Sequence, residues 1–318
     1  MAPAPGREAT SRPPLVALVG PTGSGKSDLA LALADRLPAE ILVADSRQVY
    51  RGMDLGTAKP TPEQRAAVPH HLLDLVAPDE AFTAAQWVEL ARTTLHDVAA
   101  RGAVPLVVGG TGLYVTALVD GYDFAAQAWS PELRADLARR LESEGLAALA
   151  ADLRRADPAA AARTDLRNPR RVLRALERAL AGGGGEPVRR ESWPGRVALL
   201  GITRPRETLY RRIDERAAAM FAAGLVDEVR GLLAAGYGPE LPPMSGHGYR
   251  EAARVAAGEW SIEEAIATTA RHTRQYAKRQ LSWFRGDPRI VWLAAGDAPS
   301  DDPALVERAI DLVRRLTG

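Results

Sequence analysis

Residues 20–27 read Gly20-Pro21-Thr22-Gly23-Ser24-Gly25-Lys26-Ser27 and fill every fixed position of the P-loop pattern G-x-x-x-x-G-K-[ST]. The surroundings are those the pattern needs. An apolar run, Leu15–Val19, leads into it, and apolar residues at helical spacing (Leu29, Leu33, Ala34, Leu37) follow. Strand, glycine turn and helix together make a cradle for an anion. Gly20, Gly23 and Gly25 let backbone N–H groups point inward, and the helix N-terminus adds its dipole. Lys26 brings a point charge to terminal phosphate oxygens, and the Ser27 hydroxyl suits a magnesium ion. A glycine-rich turn that binds nothing would not need all of these at once. The stretch predicts a site for a di- or triphosphate.

The remaining composition excludes several classes. With 318 residues, 46% hydrophobic and 25% charged, the chain has room for one large domain or two modest ones. It contains no cysteine, which rules out disulfides and cysteine metal sites and is compatible with a cytosolic home. Met1 to Arg12 carry prolines and charges without an apolar core, the pattern of a disordered tail rather than a signal peptide. No apolar run approaches membrane-spanning length. A net charge of +1 gives no global attraction for nucleic acid, so any such surface has to be a local patch.

Outward from the loop, five short apolar runs recur: Leu15–Val19, Ile41–Ala44, Leu106–Val108, Val197–Ile202 and Ile290–Leu293. Unalternating runs separated by helical patterns predict strands covered on both faces. The expected fold class is therefore α/β, a P-loop NTPase-like parallel sheet flanked by helices. Such a sheet places ligands at the carboxyl ends of its strands. Just past those ends lie the P-loop, Asp45-Ser46-Arg47-Gln48, and Gly109-Gly110-Thr111-Gly112.

Between residues 122 and 191 the strand runs stop and alanine- and arginine-rich helices take over. Ser130-Pro131-Glu132 and Asn168-Pro169 are helix starts, and Gly182–Gly185 reads as a flexible return to the sheet. The expected organisation is a tail over 1–12, a core in two parts (13–121 and 192–318), and an all-helical insertion domain over 122–191. After the fourth run, Glu207 to Ala235 reads as one long helix, with Arg216 on the flank of its apolar stripe.

Two basic patches stand out in an otherwise balanced chain. A helix opening at Ser261, with Glu264 completing a capping box, carries Arg271, Arg274, Lys278 and Arg285 on one face. It also bears Gln275, Tyr276, Gln280, Trp283 and Phe284, the amides and aromatics that phosphate tracking and base stacking require. In the insertion, Arg163, Arg167, Arg170, Arg171, Arg174 and Arg178 face only Asp165 and Glu177. Asp45 is the candidate for proton chemistry. Three roles stay open to it: a structural hydrogen bond, a base for a hydroxyl being phosphorylated, or a base for another nucleophile.

Taken together, Gly20–Ser27, the block Asp45–Pro60, Pro69-His70-His71-Leu72-Leu73-Asp74, Val107–Tyr114 and Thr273–Gln280 closely resemble the bacterial tRNA dimethylallyltransferases. The resemblance runs from about Leu15 to Leu293 with the motifs in family order, and the Asp45–Pro60 block is far more specific than a P-loop. It implies transfer of a dimethylallyl group from dimethylallyl diphosphate to the N6 amine of the tRNA adenosine 3′ of the anticodon, with release of pyrophosphate. It also implies a base flipped into a channel and met by the donor from the other side. Carried over residue by residue, Asp45 would be the general base, and Asp45, Ser46, Arg47 and Gln48 would hold the adenine. Thr111 would hydrogen-bond near the breaking C–O bond, and Lys26, Arg216 and Mg2+ at Ser27 would meet the departing charge. Arg170, Arg171 and Arg174, and then Arg274, Lys278 and Gln280, would contact tRNA. A cytoplasmic monomer with no membrane partner is expected.

One departure from the family pattern is His247, where an aliphatic residue usually precedes Gly248-Tyr249-Arg250; Ser245-Gly246 before it are also small. It bears on local tRNA contacts rather than on the chemistry. His70-His71 are expected to shape a loop, not to bind metal. Two rivals stay open: a small-molecule P-loop kinase using Asp45 and ATP, and a non-catalytic RNA-binding protein that senses nucleotide.

Overall fold

A computed structural model describes residues 14–122, 124, 130–181, 192, 193 and 195–317. The expected tail over 1–12 and the glycine run Gly182–Gly185 lie outside these. The chain divides into two compact units, one from Met1–Val119 with Trp193–Gly318 and one from Asp120–Ser192.

Strands β1 (Leu15–Val19), β2 (Ala39–Val43), β3 (His70–His71), β4 (Val104–Gly109), β5 (Val197–Thr203) and β6 (Val291–Ala294) form one parallel sheet. Their order is β3-β2-β4-β1-β5-β6. The apolar runs do not alternate because both faces are covered. On one face Val16, Leu18, Val108 and Leu200 pack against helices α1 (Lys26–Arg36) and, from the end of the chain, Pro303–Thr317. Trp87 of α3 (Ala84–Ala100) is fully buried, donates Nε1–H to the Val43 carbonyl at 3.0 Å, and stacks on Tyr114 of α4 (Gly112–Val119). The short α2 (Pro62–Ala67) precedes β3.

The sheet has six strands among the described residues, one more than the five apolar runs. His70–His71 was expected as a loop, yet it pairs with Ile41 and Leu42 at the sheet edge. Its bonding is backbone (Ile41 N–H to the Pro69 carbonyl, 2.9 Å) together with His71 Nε2 on Glu40 at 2.6 Å. A two-residue polar strand carries no apolar run for periodicity to detect.

Among its described residues the insertion's elements are helices: α5 (Pro131–Ala156, broken at Gly145), α6 (Pro158–Arg163) and α7 (Pro169–Leu180). Ser130, Asp157 and Asn168 cap the three N-termini through side-chain oxygens, and Leu137, Leu149, Leu153, Val172 and Leu176 form a core of their own.

After β5 come α8 (Arg206–Ala222), α9 (Leu225–Ala234), α10 (Tyr249–Ala256), α11 (Ile262–Arg285) and α12 (Pro303–Thr317). The single helix expected over 207–235 is two. Gly224 at φ 101 turns the chain through the left-handed region, while the apolar spacing continues across the break and hides it. The Asp45–Pro60 block is held against α9 and α10. Met53, Leu225, Val229 and Tyr249 share a buried cluster, Glu228 accepts from Asp54 N and Leu55 N, and Tyr249 Oη donates to Glu228 at 2.5 Å. Gly56 has to be glycine here, since a Cβ would lie 2.4 Å from the Tyr249 ring.

Candidate active site

The sheet order decides which loops can meet. β2, β4 and β1 are adjacent, so the loops after them emerge side by side: Asp45–Gln48, Gly110–Thr111 and Gly20–Ser27. Their backbones are tied together. Thr111 N–H donates to the Ala44 carbonyl at 3.1 Å, and Ser46 N–H donates to Thr111 Oγ1 at 3.0 Å. Asp45 Oδ1 accepts from Arg47 N–H at 2.8 Å, which fixes the carboxylate in a short turn.

Two cavities open around this junction. One, of about 560 Å³, is lined by Lys26, Ser27, Gln48, Lys59 and Arg212. The other, of about 280 Å³, is lined by Arg47, Ile213, Met220, His247 and Tyr276. Thr22, Asp45, Thr57 and Arg216 line both. A phosphate-binding loop and a carboxylate thus stand at the boundary between two spaces, one for each of two reactants.

The electrostatics suit an anion on the loop side. Burial pushes the Lys26 ammonium down to about 8, against an opposing pull from Asp45. Burial likewise lowers Arg216, which donates Nη2–H to Thr22 Oγ1. These cations are held at a desolvation cost that a bound diphosphate would relieve. Two further arginines were not singled out from sequence. Arg212, one turn before Arg216 on α8, donates to the Gly23 carbonyl at 3.0 Å and lines the larger cavity. Arg204, 8% exposed, donates to the carbonyls of Ser24, Gly296 and Ala298 and to Ser300 Oγ, bracing the loop from behind. The i, i+4 spacing of Arg212 and Arg216 was the available signal for the first; Arg204 carried none.

Gln48 donates Nε2–H to the carbonyls of Thr57 and Ala58 at 2.9 and 3.1 Å. Two acceptors on one side fix the amide orientation and leave Oε1 as its acceptor edge. Lys59 is buried on Asp54, Asp74 and the Tyr50 carbonyl, so it supports the cavity wall as an ion-paired strut. Thr111 lines neither cavity; its hydroxyl serves the Ser46 N–H.

Three residues expected to contact tRNA are held by groups of the protein itself. Gln280 is 6% exposed, and its amide bridges Thr22 N–H (2.8 Å) and the Gly110 carbonyl (2.9 Å). Helical spacing put it near the cations, but it lies on the inward side of α11. Arg274 is drawn onto both oxygens of Asp214 at 2.6 and 2.7 Å, so α8 already compensates its charge. Arg174 in the insertion donates to the buried Glu177, which also accepts from Arg134. Lys278, Arg271, Arg170 and Arg171 remain exposed and make no ion pair among the described residues. Trp283 is 49% exposed on the same helix as Lys278, while Phe284 is buried.

The sequence model for IPP transferase matches residues 48–287. The chain belongs to the IPP transferase family. A tRNA dimethylallyltransferase of Roseiflexus castenholzii is 48% identical over 95% of this chain and 98% of its own. The crystal structure of the full-length tRNA isopentenylpyrophosphate transferase of Bacillus halodurans superposes with a TM-score of 0.72 at 37% identity, covering 96% of this IPP transferase and 97% of that chain. A eukaryotic dimethylallyltransferase acting on tRNA superposes with a TM-score of 0.75 at 25% identity, covering 94% and 78%. Membership sets aside the small-molecule kinase. No helix among the described residues of this IPP transferase is long and apolar enough to cross a membrane.

Proposed function

We propose that this IPP transferase moves a dimethylallyl group from dimethylallyl diphosphate to the N6 amine of the adenosine 3′ of the anticodon in tRNA. The product is N6-isopentenyladenosine and the leaving group is pyrophosphate. The observation that carries the reading is the pair of cavities sharing Asp45, Thr22 and Arg216. A kinase needs a phosphate loop and a base, but this arrangement also provides a second space on the other side of the base. The expected compartment is the cytoplasm.

The target base has to leave its stack to reach such a site. An exocyclic amine is a poor nucleophile because its lone pair is delocalised into the ring. As N6 forms its bond to the allylic carbon, the C–O bond to diphosphate breaks and Asp45 takes the amine proton. A positioned base of this kind contributes about 10²–10⁴-fold. Negative charge grows on the departing oxygens, where Lys26, Arg212, Arg216 and the loop N–H groups stand. Thr111, through Ser46, fixes the backbone that carries Asp45. Gln48 lines the larger cavity next to the shared Asp45, so its Oε1 is suited to accept from the amine hydrogen where N6 meets the donor.

The residues fit Mg2+ in a limited way. Ser27 is exposed at the start of α1, and its hydroxyl has no hydrogen-bond partner among the described residues. No cluster of three or more His, Asp or Glu able to hold a metal occurs among those residues. That donor set suits an ion taking most of its ligands from diphosphate and water, as Mg2+ does. When bound, the ion would add positive charge to the leaving group. Exposed Arg170, Arg171 and Lys278 are assigned to tRNA phosphates.

The test is incubation with dimethylallyl diphosphate, Mg2+ and an anticodon stem-loop, followed by mass spectrometry of the nucleosides. Isopentenyladenosine is expected. RNA binding without a prenylated nucleoside would favour the non-catalytic reading.

A further inference from the structure

Two buried polar atoms in the smaller cavity have no hydrogen-bond partner among the described residues: His247 Nδ1 and Thr269 Oγ1. Thr269 is 2% exposed on α11, and His247 sits in the turn before α10 with the Tyr276 ring edge-on at 5.6 Å. Leaving such atoms unpaired is costly, whereas a ligand that pairs them recovers that cost. Burial, and after it the nearby Asp45 carboxylate, pushes the Tyr276 phenol up to about 12. The titratable groups acting on His247 are instead Glu251, His272, Arg279 and Arg250. Tyr276 therefore stands between the two, and His247 marks the end of the cavity away from Asp45. The cavity is also walled by Ile213, Ala217 and Met220, at spacings of four and three on α8, an apolar face suited to a purine ring.

With N6 at Asp45, the sugar hangs from N9 across the purine and falls at that far end. Of the groups an internal adenosine of an RNA chain offers, the amine only donates, while ring nitrogens and phosphate oxygens only accept. The 2′-hydroxyl does both. We infer that His247 and Thr269 form a subsite for the 2′-hydroxyl of the flipped nucleotide, so that the enzyme selects a ribonucleotide over a deoxyribonucleotide at the target position. This rests on the prenyl-transfer reading above. Burial pushes the His247 imidazole down to about 4, so at neutral pH the ring is uncharged. With its proton on Nε2, Nδ1 accepts the 2′-O–H while Thr269 Oγ1–H donates to the same oxygen. Arg47 ties the two ends together. Its backbone N–H donates to Asp45 Oδ1 and its guanidinium to the Pro242 carbonyl at 2.7 Å, which clips the Asp45 turn to the segment leading into His247.

A site that pairs a hydroxyl discriminates against the analogue lacking it. Two stem-loops, one with adenosine and one with 2′-deoxyadenosine at the target position only, are supplied together at equal concentration with dimethylallyl diphosphate and Mg2+. The two prenylated nucleosides are counted by mass spectrometry, and internal competition makes their ratio independent of how much enzyme is folded. The wild-type enzyme is expected to favour the ribonucleotide by about tenfold or more. His247→Leu should bring that preference down to within about threefold, and Thr269→Val should lower it in the same direction. Loss of the hydroxyl also alters the sugar itself, but that effect is common to wild type and variants, so the change in ratio isolates the contact.

A wild-type enzyme that prenylates both stem-loops equally overturns the subsite without recourse to any variant. A ribose preference that neither substitution lowers belongs to the RNA loop as a whole, and overturns it too. A second competition, adenosine against 3-deazaadenosine, addresses the ring nitrogen on the sugar edge of the base. If His247→Leu relaxes that preference and leaves the ribose ratio alone, the pair reads the base and the inference fails. Prenylation of neither stem-loop would remove the reading beneath it, whereas equal prenylation of both leaves that reading standing.

Discussion

Gln280 holds Thr22 from 258 residues away: its Oε1 accepts the Thr22 N–H at 2.8 Å, and its Nε2 donates to the Gly110 carbonyl at 2.9 Å. One buried amide from α11 thereby sets the spacing between the phosphate loop and the loop after β4. Gly110 has to be glycine for this, because a Cβ there would lie 2.2 Å from Gln280 Nε2. The helix that carries exposed cations on one side locks the reaction site with the other.

Gln280 is accordingly a positioning residue. Gln280→Ala leaves two backbone groups without their partner, at about 1–3 kcal/mol of stability each. It is expected to lower kcat/KM for the donor by tenfold or more. The salt dependence of tRNA binding should stay as in wild type, because no phosphate contact is lost. A changed salt slope with normal donor kinetics would return Gln280 to the tRNA surface.

Lys26 gives the pH dependence. Its ammonium is held down to about 8, so it is charged below that pH and loses its charge as pH rises through it. Because kcat/KM reports the free enzyme, kcat/KM for dimethylallyl diphosphate should fall above about pH 8. The fall in kcat should come at higher pH, since bound diphosphate favours the charged form. Lys26→Arg should remove this limb from the accessible range. A pH profile of both parameters for the two proteins checks the assignment.

The basic residues divide by whether their charge is already paired. Neutralising Lys278 or Arg171 should reduce the slope of log K against log salt by roughly 0.7–0.9 each. Arg274→Ala should leave that slope nearly unchanged and lower the melting temperature, since it breaks the bond to Asp214. Titrations at several salt concentrations, with a thermal melt of each variant, separate the two classes.

Gln48 is proposed to read the base. Gln48→Ala should weaken discrimination between adenosine and a substituted purine at the target by roughly 1–3 kcal/mol, with the salt slope untouched. Measuring kcat/KM on two stem-loops differing only at that position tests it.

What was legible in the sequence follows from where the physics is local. The P-loop, the Ser261 capping box and the buried strands announce themselves within a few residues of chain. The Asp45–Pro60 block marked the family because many unusual residues are needed together, including Gly56 against Tyr249 and Lys59 among its carboxylates. The helix break at Gly224 was hidden by apolar spacing that continues through it. The strand His70–His71 was hidden because backbone bonds rather than apolar side chains hold it. The partners of Arg274 and Gln280 are hidden for another reason. A helical wheel gives the angle of a side chain but not the identity of its neighbour, and here those neighbours were Asp214 and the P-loop.

We propose that Asp45 stands between a bound allylic diphosphate and a flipped adenosine and takes the amine proton. The most direct measurement is single-turnover transfer from dimethylallyl diphosphate to an anticodon stem-loop by wild type and Asp45→Ala, read by mass spectrometry of the nucleosides, with donor affinity measured separately. Expected are isopentenyladenosine from the wild-type enzyme, a rate lowered at least about a hundredfold in the variant, and donor affinity little changed because the phosphate loop is intact. Near-normal transfer by Asp45→Ala would contradict it.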